Sequence, residues 1–474
     1  MFEPVIGLEI HLAMKTKTKI FCGCPADSFG QGPNVSTCPV CLGLPGSLPT
    51  INRAAIEKAI MFSLALNCEV PEKTQFHRKN YYYPDAPKNY QISQYDRPVG
   101  EHGYVDLADG RRIGVTRCHV EEDAGKSVHP SYADYSLVDL NRAGAPLIEM
   151  VTEPDLRDPA AAREFLGKVR AIAQALGVSD ANPEEGKMRA DVNVSVRRPG
   201  EPFGTKVEIK NLNSFKSVQR SLETEIERQS RILEDGGTIV QETRGWNEGG
   251  QKTYSMRAKE GEADYRYFPD PDLPPMMIGR EWLEHIRART PELPDAKFGR
   301  YVALGLREDD ARIIAYDIAL AGFFDRARAL YSGDAQTLVN WLNSDVTGWL
   351  NAHNLAVHES QLTPGHLAEL ISLVDTNTIS GKTAKDILPD VMTGAAPKDL
   401  VEERGLTQLT DTSAIEQMVD DVIAENPDTV EKVRDNPKAI NALLGQVMRA
   451  SKGKANPETV RELLGRKLGI AQEV

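Results

Sequence analysis

The chain reads as α+β in its first part and as all-α in its remainder. Up to about Tyr267, short segments alternate apolar and polar residues with the period of a strand. The helical stretches among them carry single apolar stripes that need a sheet to cover, which makes an antiparallel sheet layered with helices the natural architecture. Phe268-Pro269-Asp270-Pro271-Asp272-Leu273-Pro274-Pro275 then interrupts regular structure, because proline removes a donor and restricts its predecessor. Beyond Pro291 and Pro294 the pattern is almost entirely helical.

In Val5–Leu12, Ile6, Leu8, Ile10 and Leu12 share one face, and Gly7, Glu9 and His11 the other. His119 and Glu121 share a face at the end of a strand running from Ile113, and Glu149 lies between apolar neighbours near Leu147. Asp158 and Pro159 open a helix that stops at Gly177. Met188–Arg197 places Arg189, Asp191, Asn193, Ser195 and Arg197 opposite an apolar face, and Lys206–Lys210 opposes Lys206, Glu208 and Lys210 to Val207 and Ile209. Ser214 caps a long helix ending before Gly236-Gly237. Leu338–Leu350, Pro364–Val374 and Asn436–Ala450 are expected helices. A loop-rich stretch from Met392 to Thr412 is expected to separate a middle helical domain from a small C-terminal one. The expected domains are 1–292, 293–405 and 406–474.

The 474 residues have ordinary globular composition, 41% hydrophobic and 26% charged. A net charge of −13 argues against a generic nucleic-acid coat but leaves room for a local basic patch. With no signal-like start and no apolar run long enough for a membrane span, a soluble cytoplasmic protein is expected.

The polar strand faces are compatible with a solvated side of an antiparallel sheet. They also accumulate acids: Glu9, Glu121, Glu122, Asp123, Glu149, Asp191 and Glu208. Massed carboxylates repel unless a cation or donors join them. Oxygen-rich sites suit Mg²⁺, and the interleaved Lys206, Lys210 and Arg189 can neutralise phosphate, so the pattern points to a Mg²⁺–nucleotide site. Gly125-Lys126-Ser127 is not the end of a phosphate loop, because Val120 stands where its first glycine belongs and three acids precede Gly125. Cys22, Cys24, Cys38 and Cys41 form two close pairs that can close a tetrahedral structural Zn²⁺ site, whereas Cys68 and Cys118 read as ordinary buried thiols.

Ordered strings carry a family resemblance along essentially the whole chain. They include VIGLEIH at Val5–His11, HRKNYYYPDAPKNYQISQYD at His77–Asp96, HVEEDAGKS at His119–Ser127 and SLVDLNRAGAPLIEMVTEPD at Ser136–Asp155. RADVNVSVR at Arg189–Arg197, KVEIKNLNSF at Lys206–Phe215, ADYRYFPDPDLPP at Ala263–Pro275 and GQVMRASKGKANP at Gly445–Pro457 complete the set. The chain resembles the B subunit of the aspartyl/glutamyl-tRNA amidotransferase.

That resemblance implies a cradle domain followed by a helical domain and a YqeY-like tail. It implies ATP-dependent phosphorylation of the side-chain carboxylate of Glu or Asp misacylated to tRNA-Gln or tRNA-Asn, then amidation by ammonia from a partner glutaminase, the A subunit. A small C subunit and the non-discriminating aminoacyl-tRNA synthetase are further implied partners. Glu9, His11, Glu149, Glu208 and one or both of Glu121 and Glu122 are implied as the metal and nucleotide shell, with Glu9, His11 and Glu149 catalytic. Asp191, Asn193 and Lys210 are a second set. Lys79, Asn80 and Tyr81 are placed near the ammonia route or acceptor end, although an aromatic surface loop or subunit interface would look the same. From Lys432 to Lys467 nine basic residues face three acids, a local +6. With the family's use of its tail, Arg449, Lys452 and Lys454 are assigned to the tRNA body, read by shape rather than base sequence.

Overall fold

The Glu3–Ala13 strand lies near the centre of an eight-stranded sheet. The sheet runs Lys252–Ala258, Glu242–Asn247, Val207–Lys210, Met188–Arg197, Glu3–Ala13, Pro146–Thr152, Arg112–Glu122, Gly100–Asp106. This computed structural model describes residues 2–132, 134–258, 265–408, 412–435, 439–451 and 454–469. The chain divides into two units, Met1–Pro294 and Asp295–Val474.

Neighbouring strands of the sheet are antiparallel, as the alternation predicts, except that Val207–Lys210 and Glu242–Asn247 pair in parallel. The exception has a physical cause: the Phe215–Glu234 helix lies between them, and parallel neighbours require such a crossover. Ile6, Leu8, Ile10 and Leu12 are buried in one core with Phe165, Leu166 and Val169 of the Pro159–Ala175 helix and Val218 and Leu222 of Phe215–Glu234. Asp158 and Ser214 cap those two helices by accepting from the backbone N–H of Ala161 and Ser217. A third helix, Arg53–Ala65, packs near the Gly100–Asp106 and Arg112–Glu122 strands. There Gly103 is obligatory, since a Cβ would fall 2.4 Å from Cys68 Sγ and 2.6 Å from the Leu66 carbonyl oxygen. The opposite face of the sheet, where Glu9 and His11 point, is left for chemistry. A small sheet of His77–Asn80, Tyr90–Ser93 and Phe268–Pro269 stands beside it.

The second unit is helical throughout its described residues and holds two apolar clusters, one spanning Tyr301 to Val401 and the other Ile415 to Leu464. Pro364–Asp375 and Ile440–Ala450 are helices close to their expected bounds. Leu338–Leu350 is helical but not a simple α-helix. A π segment, Trp341–Val346, separates Ala335–Asn340 from Thr347–His353, and the Thr347 hydroxyl bonds the Leu342 carbonyl five residues back. The expected loop from Met392 to Thr412 contains the helix Pro397–Glu403, opened by a proline whose missing N–H costs nothing at a first helical position. No helix among the described residues is long and apolar enough to cross a membrane.

Candidate active site

Strand register builds the site. His11 stands opposite Arg189 on one side and Glu149 on the other, and Glu149 in turn stands opposite His119. Arg189, His11, Glu149 and His119 therefore form one row across four adjacent strands. Glu9 and Glu121 lie one pleat repeat away on their own strands, on the same face.

His11 Nε2 is 3.4 Å from Glu149 Oε2, 3.5 Å from Glu121 Oε1 and 4.0 Å from Glu9 Oε1. His119 Nε2 is 3.3 Å from Glu149 Oε2 and 3.7 Å from Glu121 Oε2. Burial alone would lower both imidazoles, but the carboxylates outweigh it. Glu149 and Glu121 push His119 up to about 9, and they raise His11 as well. In return, Glu149 is held well below the usual carboxylate range, because the two histidines overcome its own burial. Glu9 moves the other way, raised by burial and by the Glu149 charge.

Arg189 and His11 of the row line a cleft of about 490 Å³ together with Glu121, Glu122, Asp191, Lys210 and Lys79, and Glu149 and His119 lie behind them. A cavity of that size is ordinary for a cofactor-sized ligand. Lys210 Nζ lies 2.5 Å from Asp191 Oδ2 and 3.3 Å from Glu208 Oε1, while the Thr243 hydroxyl donates to Glu208 at 2.8 Å. Arg189 reaches Asp123 at 3.4 Å. Lys79 descends from the small sheet with its ammonium 4.8 Å from the Tyr265 ring centre. Burial would lower its basicity, but Glu121, Tyr267, Glu149 and Tyr265 together raise it. Asn80 donates to the Tyr265 and Arg266 carbonyls at 2.9 Å, clipping that segment beside the cleft, and Tyr81 stacks on Tyr83.

The structure thus brings together Glu9, His11, Glu121, Glu149, Asp191 and Lys210. Asn193 and Glu208 pair with each other two residues farther along their strands and do not line the cleft; Glu208 connects to it through Lys210. The pleat separates Glu121 from Glu122. Glu121 joins the histidines, whereas Glu122 accepts from Lys88 at 2.6 Å and from the Ile92 N–H at 2.8 Å. His119, fully buried with its Nδ1 unpartnered, is the member that sequence reasoning sets on the right face but leaves out of the site. Its two-residue spacing from Glu121 repeats the Glu9/His11 pattern and is the available signal. Lys88 carries none, because its role depends on a turn bringing it back to Glu122.

Glu9, His11 and Glu149 offer ligand atoms within 4.8 Å of one another, as do His119, Glu121 and Glu149. Two imidazoles among three carboxylates form a mixed nitrogen and oxygen donor set that fits a divalent cation; Mg²⁺ would be held chiefly through the oxygens. Cys22, Cys24, Cys38 and Cys41 likewise gather within 4.8 Å, with Cys38 and Cys41 sulfurs 3.9 Å apart. That spacing is close to the ~3.8 Å edge of a tetrahedron with Zn–S bonds of ~2.3 Å. The Cys41 thiol is lowered to about 4, first by a hydrogen bond from Cys22, then by the Cys38 N–H and Lys19 against the cost of burial.

Residues 4–284 match the family model described as the GatB/GatE catalytic domain, and residues 322–468 match the GatB domain. The chain belongs to the GatB family. Among its relatives, the B subunit of the aspartyl/glutamyl-tRNA(Asn/Gln) amidotransferase of Deinococcus radiodurans is 59% identical, covering 99% of this chain and all of its own length. The protein of the same name from Thermus thermophilus is 56% identical over 99% of this chain and all of its own. That from Persephonella marina is 51% identical over 98% of each.

In the GatB domain, Arg449 is exposed at the end of the Ile440–Ala450 helix, and Lys454 follows within a few residues. Lys452 lies outside the described residues. Two other members of the basic stretch are already engaged: Arg466 meets Glu416 at 3.3 Å, and Lys467 meets Asp420 at 2.6 Å. The local excess of positive charge is therefore smaller than the count along the chain, because the Thr412–Glu425 helix supplies acids from outside it.

Proposed function

We propose that this chain is the B subunit of a glutamine-dependent aminoacyl-tRNA amidotransferase, converting Glu on tRNA-Gln, Asp on tRNA-Asn, or both, to the amide. The observation that carries the reading is the Arg189–His11–Glu149–His119 row, of which Arg189 and His11, with Glu121, line a cleft that Lys79 and Lys210 also line. A carboxylate is a poor electrophile, and phosphorylation gives it a leaving group. The side-chain oxygen of the aminoacyl ester attacks the γ-phosphorus of ATP, and ADP departs. Ammonia then attacks the acyl carbon, phosphate leaves, and a proton is lost to give the neutral amide.

His11, Glu149, Glu121, Glu9 and His119 would hold Mg²⁺, which supplies charge neutralisation at the phosphates when bound. The chain's own cations act on the same charge: Lys210 and Arg189 line the cleft, each held by a carboxylate, and add positive charge beside the phosphates. Asp191 and Glu208 fix Lys210 in place. Lys79, Asn80 and Tyr81 are assigned to the ammonia route or the acceptor end, with Lys79 positioned between the aromatic segment and Glu121. Asn193 supports the nucleotide shell indirectly, as the strand partner of Glu208, and Glu122 does so through Lys88.

The four cysteines hold a structural Zn²⁺ that pins the loop following the Glu3–Ala13 strand. Residues 1–292 are the catalytic cradle, 293–405 a helical domain and 406–474 a tail in which Arg449, Lys452 and Lys454 contact the tRNA body. The partners are the glutaminase A subunit, the small C subunit, misacylated tRNA and the non-discriminating synthetase, in the cytoplasm. Reconstitution with and without the A and C subunits tests the reading. ATP γ-phosphate release and amide formation should depend on Glu-tRNA-Gln or Asp-tRNA-Asn. Glutamine should support amidation only when the A subunit is present. Neither product appearing with either tRNA would overturn the assignment.

A further inference from the structure

Lys19 is completely buried, and among the described residues its ammonium has no carboxylate as a hydrogen-bond partner. Its Nζ donates to the Ser36 carbonyl at 2.8 Å and to Cys41 Sγ at 3.6 Å. The nearby acid across Gly144, Glu122, is already engaged by Lys88 and the Ile92 N–H. The backbone holds the lysine there firmly, since Lys19 N–H donates to the Cys24 carbonyl and Ile20 N–H to the Gly144 carbonyl. Lysine is almost never fully buried unless paired, so this ammonium requires negative charge close by. Four neutral thiols would not provide it. Four thiolates around a dication carry a net charge of −2, and one sulfur of that set accepts from Lys19 beside the neutral Ser36 carbonyl.

We propose that Lys19 is a positioning residue for the metal at the cysteine tetrad, compensating half of the excess negative charge and holding the Cys41 sulfur oriented toward the ion. The inference rests on the zinc reading above and adds a residue that contributes no ligand atom. Outer partners of metal ligands typically change metal affinity about 10–100-fold.

The test is chelator competition for Zn²⁺ on the purified full chain, read with a chromogenic chelator, together with the thiolate charge-transfer absorption of the Co²⁺-substituted protein. Lys19→Met is expected to bind Zn²⁺ about 10–100-fold more weakly and to shift the Co²⁺ band, while Lys19→Arg, which keeps the charge, recovers most of the affinity. Lys19→Gln keeps a donor without charge, and it carries the test if Lys19→Met fails to fold. A neutral variant with undiminished affinity and an unshifted band overturns the role of Lys19 while leaving the zinc site standing. A wild-type chain that takes up no Zn²⁺ overturns the zinc reading itself.

Discussion

His11 and Glu149 face each other across paired strands, Nε2 to Oε2 at 3.4 Å, and the same oxygen lies 3.3 Å from His119. One carboxylate thus serves two imidazoles on strands to either side. Glu149→Gln preserves its volume and removes the charge both histidines depend on. We expect ATP-dependent amidation to fall by about a hundredfold or more, with tRNA binding unchanged in a filter or shift assay.

The pleat predicts unequal effects at two adjacent acids. Glu121→Gln should also cost about a hundredfold in γ-phosphate release, because it removes a carboxylate from the histidine cluster. Glu122→Gln should instead weaken nucleotide binding through Lys88, so KM for ATP rises more than kcat falls. Equal effects on both constants at the two positions would contradict the assignment.

With metal removed by chelation, the histidine cluster should make stability depend on pH. A histidine raised from its ordinary value in the fold stabilises fully below that ordinary value, and the contribution disappears as pH rises through the folded one. For His119 the window runs from about 6.5 to about 9. Thermal unfolding followed by circular dichroism should give a Tm that falls across this range, and His119→Gln should flatten the decline.

Gly103→Ala should destabilise the first unit by about 1–3 kcal/mol, the usual cost of overpacking. The added carbon would meet Cys68 Sγ and the Leu66 carbonyl, neither of which is the free end of a flexible chain. Denaturant unfolding of the full chain measures it.

In the tail, Arg449→Ala and Lys454→Ala should each weaken tRNA binding and lower the salt slope by about 1. Arg466→Ala and Lys467→Ala should change it little, since both cations are already paired with Glu416 or Asp420.

Much of the site is legible in the residues alone. The two-residue spacing of Glu9 and His11 places both on the polar face, and the two cysteine pairs mark the loop whose four thiols gather in the fold. Period 2 also separates Glu121 from Glu122, but only a partner strand says which face is the productive one. His119 stays outside the expected site for the same reason: its value lies in standing opposite Glu149, and register between strands distant in sequence leaves no local trace. The parallel pairing of Val207–Lys210 is hidden likewise: its alternation points to antiparallel neighbours, and the helix crossover that makes the exception leaves no mark within the strand. Lys19 is invisible as a site residue because nothing in a run of lysines and threonines marks one ammonium for burial.

The register of the Glu3–Ala13 strand sets the order in which the protein can be completed. The Pro146–Thr152 and Met188–Arg197 strands that pair with it lie more than a hundred residues later in the chain. At a synthesis rate of roughly 5–20 residues per second, it waits on the order of ten seconds or more for those neighbours. Throughout that interval an alternating apolar strand has both edges unpaired, the state most open to pairing with the wrong chain. The segment that carries His11 is therefore open to mispairing while the chain is still being made, and a ribosome-associated chaperone would protect it there.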